Sequence, residues 1–164
     1  MLSLNFTKKI NKLTLQTAPH KMDIKTITDN YLEAVRYMEN AKDMLKNKAC
    51  KVNGVYQDKK YVRMACAIAY LAALLATETY LACKGKPIPN RKDRRNNIDD
   101  YKRELAKADR KMLSHLHGVW NSLHCDGYYE GVATAKGIQI GMECAECLIN
   151  AIRPAGEEAL VTKI

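Results

Sequence analysis

The sequence is poor in the residues on which many-stranded β folds depend. Its 164 residues include only eight glycines, four prolines, one phenylalanine and one tryptophan. Turns between strands use glycine and proline, and strands favour aromatic side chains, so this composition argues against a β sandwich or barrel. Alanine, leucine, methionine, lysine and glutamate are plentiful instead, and they favour helices. We therefore expect one all-α domain.

Long uncharged apolar runs are also missing. The longest runs from Met64 to Thr77 and has 14 residues, fewer than the roughly 18 to 20 that cross a bilayer. Polar residues interrupt the apolar positions between Leu2 and Leu15, unlike the core of a signal peptide. Most of the six cysteines lie in apolar helical stretches, where reduced cysteine acts as a small hydrophobe. The sequence thus predicts a cytoplasmic protein that does not contact a membrane.

Apolar residues recur at steps of three and four along most of the chain. This period predicts helices over 28–48, 58–83, 98–123 and 134–153. The third is one long helix or two that meet near Gly118, and Thr134 is the expected cap of the last. Asn53 and Gly54 break the chain after the first helix, and no segment has the pattern of a strand. We expect an antiparallel up-and-down bundle of four to five helices over 22–153.

The two ends of the chain are expected to lie outside this bundle. Residues 1–21 have no clear period and are interpreted as a disordered leader or an upstream extension. Residues 154–164 follow the last helix and are expected to form a flexible tail.

The second predicted helix is expected to occupy the centre of the bundle. Met64, Ile68, Leu71 and Leu75 form one apolar stripe, and small residues form another. Only a narrow face near Arg63 and Glu78 would then meet water. In the last helix, Ile140, Cys144, Cys147 and Ala151 also share a stripe, which predicts that the two thiols pack in the core.

The net charge of +9 is concentrated in one connection. Residues 84–111 contain eleven basic and five acidic side chains. Such a segment attracts polyanions by long-range steering and counterion release, so RNA or a nucleotide is one expected partner. The alternative is a solvated basic surface that keeps the protein soluble.

The densest group of functional side chains surrounds a glycine turn near residue 127. The predicted binding residues are Asn121, His124, Asp126, Tyr128, Tyr129 and Glu130. A histidine near its reference pKa, beside an amide, phenols and carboxylates at a helix end, suits a binding site. The alternative is structural: the tyrosine rings cap the core, while His124 and Asp126 fix the turn through hydrogen bonds.

Other chemistry has weaker support in the sequence. Arg110 and His115 have four residues between them, a spacing that also occurs in helical ribonucleases, and we retain them as catalytic candidates beside His124. Cys144 and Cys147 lack a second pair at metal spacing, and His115 and His117 face different sides of a helix. We expect neither a metal site nor a cofactor.

Several of these residues together resemble a known superfamily of helical bundles, called HEPN. The resemblance covers 23–153 and rests on Tyr31-Leu32, Ala34 and Tyr37, on Ala65, Ala69, Tyr70 and Ala73, and on Leu123-His124 with Gly127-Tyr128-Tyr129-Glu130-Gly131. In particular the chain is similar to a small bacterial family of uncharacterised proteins with an LH-x-x-GYYEG motif. The resemblance implies a bundle that is often dimeric, and that in some relatives pairs with a nucleotidyltransferase.

Active HEPN proteins are metal-independent ribonucleases, in which a histidine moves a proton and an arginine four to six residues earlier holds negative charge. His124 matches that histidine, but Val119, Gly118 and His117 occupy the places of the arginine. The sequence therefore favours a non-enzymatic, homodimeric module that binds a ligand or partner near His124, Tyr128 and Tyr129. The alternative is a HEPN-type ribonuclease or toxin-antitoxin component that acts on RNA.

Overall fold

The computed structural model describes residues 22–90 and 92–155 of the chain. It contains α1 (Ile24–Asn47), β1 (Lys51–Val52), β2 (Val55–Tyr56), α2 (Lys59–Cys83), α3 (Ile98–Ala108), α4 (Arg110–Val119), a π-helix (Trp120–Glu130) and α5 (Ala135–Asn150). The predicted all-α bundle is confirmed. The predicted leader 1–21 and residues 156–164 of the predicted tail lie outside the described residues.

The first helix begins earlier than its apolar period suggested. Asp23 caps α1 by accepting a hydrogen bond from the Thr26 backbone N–H at 2.9 Å, which moves the start from Thr28 to Ile24. The predicted stripe is buried from Tyr31 to Leu45. It packs mainly against α2 and forms one side of the core.

The expectation that no strand is present was wrong at Asn53 and Gly54. Both residues have positive φ, 49° and 78°, and join β1 to β2 in a two-residue hairpin. The hairpin is bonded to the chain before α5, because Tyr56 N–H donates to Ala133 O and Ala135 N–H donates to Gly54 O, both at 2.8 Å. This pairing fixes the hairpin beside the start of α5.

The central position of α2 is only partly as predicted. Its alanine-rich stripe is buried, and Ile68 and Leu75 of the other stripe pack against the core. Met64 is 42% exposed and Leu71 is 54% exposed, so the prediction was wrong for these two residues. Within the described residues, α2 packs mainly on α1, the π-helix and α5, and these contacts leave Met64 and Leu71 exposed. By length and composition α2 could cross a membrane, a property that core helices of soluble proteins share, and half of its most apolar window is buried.

The joint in the third predicted helix lies at Asp109 and not at Gly118. Asp109 adopts an extended conformation that ends α3, and its carboxylate caps α4 by accepting from the N–H groups of Lys111 and Met112. The same carboxylate accepts a hydrogen bond from the Tyr80 hydroxyl at 2.6 Å. Gly118 instead lies inside α4, where a methyl group would be 2.5 Å from the Cys144 sulfur.

Candidate functional site

The segment predicted to be a turn is helical through its whole length. The chain continues from α4 into a π-helix of 11 residues that ends at Gly131, where φ is 70°. The turn at its end is closed by backbone bonds, since the N–H groups of Gly131 and Val132 donate to Asp126 O. π-Helical segments are frequent at functional sites. Thr134 stands at the predicted cap position of α5, but its side chain makes no capping bond.

Two glycines bring the π-helix close to its neighbours. A methyl group at Gly127 would overlap the buried Cys66 sulfur of α2. A methyl group at Gly141 of α5 would lie 2.6 Å from the side chain of Leu123. The π-helix therefore rests against both helices, and this approach places its outer face beside Tyr70 of α2.

The rings on that face form a continuous surface, here called the aromatic band, made of Tyr70, Trp120, His124, Tyr128 and Tyr129. Trp120 and His124 are stacked, with centroids 4.3 Å apart and planes 17° apart. Tyr70 lies 4.7 Å from the same imidazole. Tyr128 and Tyr129 extend the band, with centroids 5.8 and 6.4 Å from His124. His124 is thus the central ring of the band.

Burial decreases along the band from α2 towards solvent. Burial raises the pKa of Tyr70 to about 12, whereas Tyr128 is 43% exposed and Tyr129 is 70% exposed. Neither of these two hydroxyls forms a hydrogen bond with any residue that the structure describes. Two phenol rings and their polar tips are therefore available to a ligand.

His124 is held by ring contacts alone. It is half-buried, and burial lowers the pKa of its imidazole. Across residues 22–90 and 92–155, no side chain or backbone group forms a hydrogen bond with the His124 imidazole. The neutral imidazole is thus the favoured form near pH 7, because a charged ring in this position would lose hydration without gaining a partner.

Cations stand near both ends of the π-helix: Lys102 comes from the basic segment 84–111 that was expected to attract polyanions, whereas Arg63 was not assigned to a site. Lys102 Nζ lies 5.1 Å from the centroid of the Trp120 ring. At the other end, a methyl group on Gly131 would lie 2.8 Å from Arg63 Nε, so this guanidinium lies against the glycine that ends the π-helix. Arg63 lies seven residues before Tyr70, two helical turns away on the same face of α2. This spacing could have indicated from the sequence that Arg63 lies on the same side as Tyr70.

The remaining predicted binding residues lie on the same element but outside the band. Asn121, Asp126 and Glu130 are exposed. The side chains of Asp126 and His124 form no hydrogen bond in the described chain, so the expected alternative of a turn fixed by these two side chains was wrong.

The other catalytic candidates lie on α4. Arg110 is exposed in its first turn and His115 is half-buried in its second. No hydrogen bond or ring contact joins either of them to His124 among the described residues. The structure therefore does not bring the three candidates together.

Four basic side chains of the segment 84–111 form hydrogen bonds within the protein. Asp100 is buried and accepts hydrogen bonds from Arg94 at 2.7 and 3.0 Å and from Arg103 at 2.7 Å. Lys107 is bonded to Glu104, and Lys86 donates to the backbone oxygen of Lys107. The bonds of Arg94 and Lys86 join the connection between α2 and α3 to α3, and the other two pairs lie within α3.

The prediction that both cysteines of α5 pack in the core was wrong for Cys147, which is exposed. Cys144 is half-buried and packs against the core, both thiols are free, and Ile140 of the same stripe is 48% exposed. The core face of α5 is the neighbouring stripe, which contains Ile138, Met142, Ala145 and Ile149. No group of three or more potential metal ligands occurs within the described part of the chain.

Comparisons with known proteins identify a family. Residues 29–154 match a family model described as "Domain of unknown function (DUF5618)". The chain is also similar to a solved structure, a protein of unknown function from Dyadobacter fermentans, with 36% identity and a TM-score of 0.68. That similarity covers 76% of this chain and 94% of the other. A comparison with curated proteins gives no match.

Proposed function

The chain belongs to this DUF5618 family, and from the geometry of the aromatic band we propose that it is a non-enzymatic binding module for a ligand with a planar ring. The observation that supports the proposal is the ring stack itself. Trp120 and His124 form its fixed inner part, and Tyr128 and Tyr129 present exposed rings with unbonded hydroxyls. A planar ligand is stabilised by stacking on such a surface and does not need specific hydrogen bonds for this.

The cations near the two ends of the π-helix favour an anionic ligand. Lys102 lies over the Trp120 ring, and Arg63 lies against Gly131 at the other end of the π-helix. A cation beside stacked rings is the combination by which proteins hold the bases and phosphates of single-stranded nucleic acids. A nucleotide, free or within RNA, is therefore the ligand class that we propose.

The single tryptophan makes the proposal testable at the site itself. Trp120 is the only tryptophan in the chain, so its fluorescence reports directly on the aromatic band. Titration with adenosine monophosphate should quench this fluorescence. Tyr129→Ala should weaken binding by about tenfold, because one stacked base contributes about 1–3 kcal/mol.

A matched control comes from the basic segment. Lys92 and Arg95 are exposed, and the charged groups of both have no partner among the described residues. Lys92→Gln/Arg95→Gln should leave the affinity unchanged. If quenching is absent, or if it survives Tyr129→Ala and disappears in the control variant, the aromatic band is not the binding site.

A second function is favoured by one observation. Arg63 of α2 places its guanidinium beside Gly131, the residue that ends the π-helix in which His124 lies. This arrangement keeps open the HEPN-type alternative, a metal-independent ribonuclease or toxin-antitoxin component, in which the arginine would come from α2. Cleavage of single-stranded RNA in the presence of a chelator, lost in His124→Ala and in Arg63→Gln, would replace binding by catalysis as the function.

We further propose that the module is a homodimer. The exposed apolar face of α2, with Met64 and Leu71, is the surface that a second copy would cover. Light scattering at tens of micromolar should show a dimer that Leu71→Glu converts to a monomer. A nucleotidyltransferase remains a proposed partner through the HEPN resemblance only, and co-purification with the dimeric protein would test it.

A further inference from the structure

A cavity lies on the side of the molecule formed by α1 and α5. It has a volume of about 470 Å³, and Lys51 and Tyr56 of the β1–β2 hairpin line one end of it. No residue of the aromatic band lines it. Cavities of about 300 to 1,000 Å³ are typical of sites for small molecules.

The floor of this cavity is apolar and fixed. Leu45 of α1 and Ile138 and Met142 of α5 line it, and each is at most 7% exposed. They belong to the hydrophobic core, so the floor does not need to form when a ligand enters. An alkyl chain that lies on this floor would remove its own apolar surface from water.

The rim of the cavity has an excess of one positive charge. Lys42 forms an ion pair with Glu146, and Glu143 accepts a hydrogen bond from a neighbouring glutamine. The other two lining cations, Lys46 and Lys51, have no hydrogen-bond or ion-pair partner among the described residues. A ligand with one negative charge would therefore leave the rim neutral.

Two further features lie at the hairpin end of the cavity. The half-buried Tyr56 lines it, and its hydroxyl forms no hydrogen bond within the described residues. The first turn of α5, which begins at Ala135, also lines this end and has no side-chain cap. The Ala135 N–H already donates to Gly54 O, so the positive charge at this end comes from Lys51 of the hairpin. Donors and positive charge therefore lie at one end of an apolar floor.

We propose that this cavity binds an amphipathic monoanion, namely a carboxylate on an unbranched alkyl chain. The carboxylate lies between Lys46, Lys51 and the Tyr56 hydroxyl, and the chain lies on Leu45, Ile138 and Met142. The ordering of head and tail follows from the position of the unpaired donors relative to the buried floor. This site does not depend on the aromatic band or on its proposed ligand.

Three probes with the same alkyl chain test the proposal: decanoate, decanol and decyltrimethylammonium. Calorimetry on the full chain should rank their affinities in that order. The methyl NMR signal of Met142 should shift with decanoate, whereas that of Met64, exposed on α2, should not. A shift at Met64 alone, or equal affinity for decanoate and decanol, would overturn the proposal.

Charge variants complete the test. Lys46→Gln/Lys51→Gln should weaken decanoate binding by about fivefold and leave decanol binding unchanged, because each exposed ion pair adds modestly to affinity. Lys111→Gln, an exposed lysine on α4 far along the chain from the cavity, is the matched control and should bind as the parent does. An unchanged decanoate affinity in the double variant would overturn the proposal, as would the absence of decanoate binding to the parent.

Discussion

The basic connection over 84–111 and the aromatic band make opposite use of their polar groups. In the connection, Arg94 and Arg103 converge on the buried Asp100, and Lys107 is paired with Glu104. In the aromatic band, His124 and the hydroxyls of the two outer tyrosines form no hydrogen bond with the described residues. In the first region several charged groups stabilise the fold, whereas in the second the polar groups of the rings remain free to bind a ligand.

This difference shows that a count of charges in a sequence is a weak guide to a binding surface. A guanidinium already held by a buried carboxylate has fewer N–H groups left for a phosphate. Exposed rings with unbonded polar tips remain available whatever the net charge of the segment is. We therefore expect changes in the connection to alter stability, and changes in the outer aromatic band to alter binding.

The largest expected effect comes from the support of the aromatic band. Gly127→Ala places a methyl group on the Cys66 sulfur and should lower the free energy of unfolding by about 3 kcal/mol, the upper part of the range for overpacking. Urea denaturation measures it. Adding Cys66→Ala should restore part of the loss. If Gly127→Ala is neutral, the close contact between α2 and the π-helix is wrong.

Asp100→Asn should have the next largest effect. The substitution removes the charge that holds Arg94 and Arg103, and we expect a loss of about 2 kcal/mol in the free energy of unfolding. Denaturation curves with an unchanged Trp120 emission spectrum would confirm that the connection is structural. If the variant and the parent have the same free energy of unfolding, the bonds of Asp100 with Arg94 and Arg103 do not stabilise the fold.

A smaller effect concerns the protonation of His124. Burial lowers the pKa of this imidazole below its ordinary value of 6.5, so the folded state binds the proton less well than the unfolded state does. Its contribution to stability is present above pH 6.5 and is lost as the pH falls through the folded-state pKa. His124→Phe should reduce the acid-induced loss of stability, measured by urea denaturation at about pH 7.5 and about pH 5.5. If the free energy of unfolding of His124→Phe depends on pH as that of the parent does, the pKa of His124 is not lowered in the folded state.

The smallest stability effect is expected where the binding effect is largest. Tyr129 is 70% exposed and has ring contacts only. Tyr129→Ala should change the free energy of unfolding by less than about 0.5 kcal/mol while it weakens nucleotide binding. A large loss of stability would instead assign this ring a structural role.

The sequence predicted the parts of the fold that depend on a regular apolar period. The stripe from Tyr31 to Leu45 was correct because one face of α1 packs on one neighbour. The prediction that Met64 and Leu71 are buried was wrong. The apolar period of a helix shows that one of its faces is apolar, but it does not show whether another element covers that face. The joint at Asp109 was missed because the apolar period continues through this residue. The break is visible only in the structure, where the Asp109 side chain caps the start of α4.

The predicted binding residues include three rings of the aromatic band, His124, Tyr128 and Tyr129, but the sequence did not predict the arrangement of the segment. Asp126 and Gly127 suggested a turn, yet Gly127 serves the close contact with Cys66 inside a π-helix. Lys102 and Arg63 come from other helices, and their positions beside the π-helix depend on tertiary packing. A search for an arginine just before His124 could not find a cation supplied by α2.

The salt dependence of binding to a short single-stranded oligoribonucleotide tests the central claim most directly. If the aromatic band holds the ligand with Lys102 and Arg63 near the two ends of the π-helix, the logarithm of the association constant should fall with the logarithm of salt concentration with a slope of about −1.4, as two phosphate contacts give. That slope should be the same in Lys92→Gln/Arg95→Gln. A much steeper slope that this variant flattens, or no binding at all, would contradict the account.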